Sequence, residues 1–396
     1  MSAAFTPPRA PAPAGPAPWR TALPAMLALA VAMGIGRFAF TPLLPLMLQE
    51  GSVTVAQGGW LASANYVGYL LGALSAARWE RTAPRPVGMA LLLVALLTGG
   101  MAVAQGLAVQ AALRLGAGMA SAWVLVVVSS RGLALLRAAP GIWTGLLFAG
   151  VGVGIATAGA ACLGLALQGL SATAGWGVLG AVALAAALLL WRAAELQLPS
   201  TVAAPAAAPV TAAPAGPRPA VLVLCYGLFG FGYIVPATFL PAMAHQLVAD
   251  ARIYGLVWPV FGLAAVLSTL AAAPLMRRSS PRAVWAGAQL VMAAGVAVPV
   301  LLPGPAGVGL SALAVGGTFM VATMAGIADA RALAGARAVP LVAAMTAAFA
   351  AGQIAGPLAV SALTGLGGRM EQVLLAASFV LAASAAWLGL LARRSR

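Results

Sequence analysis

Two arginines, Arg37 and Arg114, fall inside long apolar stretches of this 396-residue chain. A guanidinium at the centre of a bilayer costs about 2.5–3.5 kcal/mol on insertion scales, so each must face a protein interior, a wet cavity or a partner. Its paired N–H donors suit a carboxylate or a phosphate. Arg37 sits in Gly34-Ile35-Gly36-Arg37-Phe38-Ala39-Phe40-Thr41-Pro42, a helix weakened by glycine before the charge and proline after it. Carbonyls freed there could take up the guanidinium, as a substrate or a gating partner could. Arg114 is expected at comparable depth, where it either joins Arg37 in attracting an anion or clips the backbone of the first span. Both alternatives stay open for each arginine.

The acids tell the opposite story. Glu50, Glu80, Glu195, Asp250, Asp329 and Glu371 all fall in loops or at helix ends, so no carboxylate is placed mid-membrane to relay protons. Asp329, beside Arg331, is the nearest candidate for coupling, but it reads first as a surface pair that latches a gate against Arg131 or a neighbour. His245, the single histidine, reads as a solvated helix-end residue able to titrate near neutral pH. Thr41, Asn65, Tyr66 and Tyr69 in the first half, with Tyr226, Tyr233, Thr238, Thr318 and Gln353 in the second, are the residues placed to line a cavity. That cavity would be cationic on the N-terminal side and aromatic on the C-terminal side, although each residue could serve helix packing instead. Cys162 and Cys225 read as small apolar residues rather than a disulfide or metal site, and neither metal nor cofactor is expected.

The elements that must hold these residues are set by composition. With 63% apolar and 7% charged residues and a mean hydropathy of +1.02, the chain exceeds what a water-soluble globule can bury. A span takes about 20 mostly apolar residues. Such stretches run at 21–48, 57–77, 87–105, 107–129, 141–168 and 174–192, then at 220–244, 254–275, 284–302, 307–328, 339–365 and 371–392. The expected fold is therefore all-α and integral to the membrane, with twelve transmembrane helices in two six-helix bundles, 19–192 and 220–396. A disordered Pro/Ala-rich tail (1–18) precedes them, a Pro/Ala-rich linker (193–219) joins them, and a short tail closes the chain.

Arginine supplies every basic residue. Seventeen arginines fall on the side of the two termini and two, Arg252 and Arg369, on the other, which places both termini in the cytoplasm. Arg81, Arg85, Arg131, Arg278, Arg282 and Arg331, with Asp329, are the expected gate residues at that end. The net charge of +15 is spread one to three residues per loop. It lacks the basic stripe that nucleic acid needs and instead suits anionic lipid headgroups.

The same marks recur in both halves. Gly34, Gly36, Pro45 and Met47 return as Gly230, Gly232, Pro241 and Met243, offset by 196. Arg131 and Leu133 return as Arg331 and Leu333, offset by 200, and Thr144, Gly150 and Gly154 as Thr346, Gly352 and Gly356, offset by 202. Tandem halves related by an axis along the membrane normal are a carrier architecture.

These features, with Arg114-Leu115-Gly116-Ala117-Gly118, resemble the major facilitator superfamily. Gly34 to Met47, Tyr226-Gly227-Leu228-Phe229-Gly230-Phe231-Gly232-Tyr233, Thr238-Phe239-Leu240-Pro241 and Gly316-Gly317-Thr318-Phe319 are similar to its YbfB/YjiJ-type branch. The resemblance implies alternating access, with spans one, four, seven and ten lining a central cavity. It departs from the superfamily's loop pattern at Ala76, where an aspartate is usual, and lacks the Gly-Pro pair that antiporters often carry on span five. The expectation is a secondary carrier, not an enzyme, for a small organic solute, with an anionic one favoured by Arg37 and Arg114. Its partners would be membrane lipids and protons or another coupling ion, and its site a bacterial inner membrane. Efflux of hydrophobic or drug-like compounds is the rival reading, and a non-transporting sensor or scaffold the rival of another class.

Overall fold

Apolar stretches become helices because hydrocarbon offers backbone amides and carbonyls no partner except each other. The computed structural model describes residues 17–136, 139, 141–197, 217–248, 250–335 and 338–393. Most of the 1–18 tail and of the 193–219 linker, with Arg9, Arg137, Arg337 and residues 394–396, lie outside the described residues.

Each expected span falls on a helix. In chain order they are α1 (Pro18–Gln49), α2 (Val55–Thr82), α3 (Pro86–Gly100), α4 (Leu107–Leu135), α5 (Gly141–Leu167), α6 (Ala172–Gln197), α7 (Pro217–Leu247), α8 (Ala251–Arg278, with a short first piece Ala251–Tyr254), α9 (Pro281–Leu301), α10 (Pro305–Ala334), α11 (Ala338–Gly365) and α12 (Met370–Arg393). The ends of α6 and α7 thus extend into the stretch read as linker. Among the described residues ten helices are long and apolar enough to cross a membrane. The other two depart for physical reasons. At 28 residues α2 is long enough, but it carries Asn65, Tyr66, Tyr69 and a charged end. The 15-residue α3 tightens after Gly100, where Met101, Ala102 and Val103 each donate to a carbonyl three residues back. Leu96, Leu189, Leu267 and Phe379 are more than half exposed on the outside of the bundle, a surface for lipid.

The two halves pack alike. In the first, α2 lies on α4, α3 on α6 and α1 on α5; in the second, α8 lies on α10, α9 on α12 and α7 on α11. Between the halves α5 meets α8, α2 meets α11 and the C-terminal part of α1 meets α7. Thr41 Oγ1 donates to the Ala237 carbonyl at 3.0 Å, and Gln49 bonds His245, each pair 196 residues apart. Residues meet their own counterparts only beside a two-fold axis. Away from the axis the contacts exchange: Gly59 lies against Ser361, and Gly159 against Pro259. The sequence repeat is therefore a spatial one.

Glycine sets the closeness of these helices. A Cβ on Gly34 would stand 2.2 Å from the Gly154 backbone, and one on Gly352 2.2 Å from the Gly227 carbonyl oxygen. Helix backbones can touch in this way only where side chains are absent, and van der Waals contact of this kind replaces the hydrophobic effect inside a bilayer. Gly154→Val and Gly352→Val are each expected to lower stability by at least ~1–3 kcal/mol, read as a fall in the unfolding temperature of the purified protein. Gly164→Ala, which meets open space, should leave it unchanged or raise it.

Candidate functional site

The site begins with a fault in α1. Residues Ala30–Arg37 form a π-helical stretch between the α-helical pieces Pro18–Leu29 and Phe40–Gln49. The Phe38 amide donates to Met33, five residues back, at 3.0 Å. Pro42 has no amide to offer Phe38, so the Thr41 amide serves the Phe38 carbonyl instead, at 3.2 Å. The carbonyls of Gly36 and Arg37 are left for other donors. Arg114 Nη2 donates to the Arg37 carbonyl at 3.0 Å, its Nη1 to that of Gly36 at 3.4 Å, and Asn65 Nδ2 to Gly36 at 3.3 Å and to the Arg114 carbonyl at 2.8 Å. Arg114 and Asn65 thus stitch α1, α2 and α4 together at the fault. Of the two alternatives for Arg114, the structure displays the clip.

Arg37 is held differently. Its guanidinium carbon lies 4.1 Å from the centre of the Tyr69 ring, 5.0 Å from Phe38 and 5.2 Å from Tyr66. Three ring faces stabilise the charge. The side chain is 3% exposed, and its Nε and Nη2 have no hydrogen-bond partner. These two nitrogens share one edge of the guanidinium and point the same way, the geometry that grips both oxygens of a carboxylate.

Across the axis, at the repeat position of Arg37, stands Tyr233. Its ring is stacked on Phe319 (5.7 Å, 3°) and on Phe349 (5.5 Å, 7°), and its hydroxyl accepts from Gln353 Nε2 at 2.6 Å. Gln353 is fully buried and its Oε1 has no partner. Further rings continue from Phe319 to Phe261, Trp258 and Phe38, so the aromatic wall reaches the Arg37 side. Tyr226 packs against Trp285 and Phe349, with its hydroxyl toward the Thr323 carbonyl. Tyr69, Phe319, Phe349 and Trp258 complete a wall of which the sequence singles out only Tyr69.

Other expected site residues lie elsewhere or are engaged. Thr318 donates its hydroxyl to the Ala314 carbonyl of its own helix. Thr41 and Thr238 join the halves, the latter through Tyr66 at 3.0 Å. His245 is partly exposed at the end of α7, where it bonds Gln49 and meets the edge of Tyr254. Asp329 is buried rather than superficial, and it pairs at 2.9 Å with Arg282 of its own half, not with Arg131. Arg131 instead meets Glu80 at 2.8 Å. Arg81, Arg278 and Arg331 are exposed, and Arg85 lies over Trp191. Cys162 and Cys225 are buried free thiols. Arg114→Leu would strand the buried Arg37 carbonyl and leave that of Gly36 to Asn65 alone, and should cost about 1–3 kcal/mol, seen as a drop in unfolding temperature without any ligand. An unchanged unfolding temperature would refute the clip.

The hydrogen bonds that join the halves among the described residues run from Ser63–Ile354 and Tyr66–Thr238 through Thr41–Ala237 and Ser361–Ala56 to Gln49–His245. All lie between mid-membrane and the face of Glu50. At the face where α1 begins, the ion pairs Arg131–Glu80 and Arg282–Asp329 each stay within one half. Among the described residues the hydrogen bonds between the bundles gather toward one face, and the ion pairs Arg131–Glu80 and Arg282–Asp329 at the other each lie within a bundle.

Comparison with known proteins agrees with this architecture. The chain is similar in structure to a mutant of the nucleoside transporter NupG, with a TM-score of 0.73 and 14% identity over 93% of this chain and 98% of that one. It is also similar to a bacterial homologue of the human lysosomal transporter Spinster in its inward-facing forms. The occupied form gives a TM-score of 0.69 over 96% of this chain and 98% of that one, and the unoccupied form 0.65 over 96% of each, both at 16% identity. Such identities speak for the fold alone. No curated protein sequence matches the chain. A family model described as "Uncharacterised MFS-type transporter YbfB" matches residues 29–388, and the chain, an all-α multi-pass membrane protein with the major facilitator fold, belongs to that transporter family.

Proposed function

We propose that this transporter is a secondary active carrier of a small organic anion, moved by alternating access through the cavity between Arg37 and Tyr233. The observation that carries the reading is the bare Nε/Nη2 edge of Arg37, buried and held in place by three rings. A buried donor pair without acceptors is costly, and a bound carboxylate removes that cost. In this reading Arg37, Tyr66, Tyr226, Tyr233 and Gln353 face the solute. Arg114 and Asn65 position Arg37, and Thr41 and Thr238 close the cavity toward the Glu50 face. Arg81, Arg85, Arg131, Arg278, Arg282, Asp329 and Arg331 belong to the opposite gate, where exposed arginines also meet anionic lipid headgroups.

The arginine distribution supports termini in the cytoplasm of a bacterial inner membrane. The face joined by hydrogen bonds between the halves is then the outer one. Protons or another ion couple the cycle in this proposal.

Two measurements test it. Small carboxylates should raise the unfolding temperature of the wild-type protein, by the equivalent of about 2.7 kcal/mol at a hundred times Kd, and should do nothing for Arg37→Gln. Stabilisation by lipophilic compounds in both proteins, with none by anions, would sink the anion reading and favour efflux of hydrophobic compounds along the aromatic wall. Bridging Gln49→Cys to His245→Cys with a short thiol cross-linker should stop solute flux in liposomes, and reductive release of a cleavable linker should restore it.

A further inference from the structure

We propose that the solute is a flat aromatic monocarboxylate that carries a hydroxyl or amino donor on its ring. This rests on the anion reading above and narrows it through three further observations.

Charge is the first. Arg114 commits Nη1 and Nη2 to the α1 carbonyls, and none of the chain's six acids lies within reach of mid-membrane by its place in sequence. Arg37 therefore offers the free two-pronged edge, while Arg114 keeps its charge nearby but has its two terminal nitrogens engaged. A single carboxylate matches that edge in shape and is attracted by both charges.

Flatness is the second. The wall opposite Arg37 is built of stacked planes: Tyr233 is nearly parallel to both Phe319 and Phe349, and Phe261 stacks in turn on Phe319 and Trp258. Aromatic pairs in offset or edge geometry gain beyond the area they bury, so a planar ring gains more here than a saturated ring of equal size.

The third is the unanswered acceptor. Gln353 is 0% exposed, its amide nitrogen is committed to the Tyr233 hydroxyl, and its carbonyl oxygen has no donor. Arg37 lies over the Tyr66 ring, and the Tyr66 hydroxyl bonds Thr238, five residues along α7 from Tyr233, so the Arg37 edge and the Gln353 acceptor lie near one level of the interface between the halves, with the stacked rings beside them. A solute anchored by its acid on Arg37 and lying along the rings meets Gln353 with its far side. A donor there satisfies the buried oxygen; a bare C–H leaves it stranded.

The test measures dissociation constants from the concentration dependence of thermal stabilisation. The ligands are cyclohexanecarboxylate, benzoate, 3- and 4-hydroxybenzoate, 4-methoxybenzoate and phenol, and the proteins are the full-length wild type, Gln353→Met and Arg37→Gln. In the wild type, benzoate should bind several-fold more tightly than cyclohexanecarboxylate. At least one hydroxybenzoate should gain roughly a further tenfold, which the methoxy compound, lacking the donor, should not. In Gln353→Met the advantage of the hydroxybenzoate over benzoate should vanish. Should that variant fail to fold, the wild-type series alone decides. Carboxylates that bind in an Arg37-dependent way, with cyclohexanecarboxylate equal to benzoate and no gain from a hydroxyl, would overturn this inference and leave the anion reading standing. Absence of binding by any carboxylate, or binding that survives in Arg37→Gln, would overturn both.

Discussion

A backbone carbonyl without a donor inside a bilayer costs several kcal/mol, and the arrangement of this transporter depends on how that cost is met at one place. The glycines and Pro42 open α1 at the level of Arg37, and the guanidinium of Arg114, helped by the Asn65 amide, supplies the missing donors by reaching the Gly36 and Arg37 carbonyls. The clip allows α1 to stay broken in the middle of the membrane. A π-helical stretch adds a residue to the turn and redirects the remainder of the helix, so Arg37 sits among the Phe38, Tyr66 and Tyr69 rings and away from the carbonyls of its own helix. One arginine is consumed in presenting the other.

The two halves answer the same geometrical problem with different chemistry. Equivalent positions carry Arg37 in one half and Tyr233 in the other, the first free on one edge and the second wedged between Phe319 and Phe349. Near the terminal face, Glu80 of α2 meets Arg131 of α4, whereas in the second half Asp329 of α10 meets Arg282 of α9. Fold symmetry thus coexists with a polarised interior, cationic on one wall and aromatic on the other. A solute with distinct ends has one orientation that suits it.

Helix positions and the repeat were legible in the sequence because hydrophobic length and glycine spacing are one-dimensional quantities. The offset of 196 between Pro45 and Pro241 reappears as real contacts between Thr41 and Ala237 and between Gln49 and His245. The illegible part depends on helix rotation. Whether Asp329 reaches Arg131 or Arg282 is decided by the direction each helix turns, which residue spacing does not contain. The role of Arg114 stayed open because a guanidinium in a membrane suits an anion and a peptide carbonyl equally well, and only the position of the α1 fault separates them. Phe319 and Phe349 do not stand out as wall residues, since in a chain this apolar an aromatic side chain is unremarkable until its neighbours are known. His245 keeps the helix-end place that the sequence assigns it, but its bond to Gln49 of the other bundle depends on how the bundles meet and is not written in one helix.

The exchange of contacts across the axis also bears on what each half can contain. Gly59 against Ser361 and Gly159 against Pro259 form an interface in which each half presents one surface, used twice. Such a surface is complementary to itself, so a single six-helix unit would already match a second copy of itself. The architecture is that of two like units joined in one chain. In a pair of identical subunits any residue on the axis would have to tolerate its own image, and an arginine at the place of Arg37 would confront a second arginine. Within one chain the two positions need not match, and one holds a cation while its twin is a tyrosine.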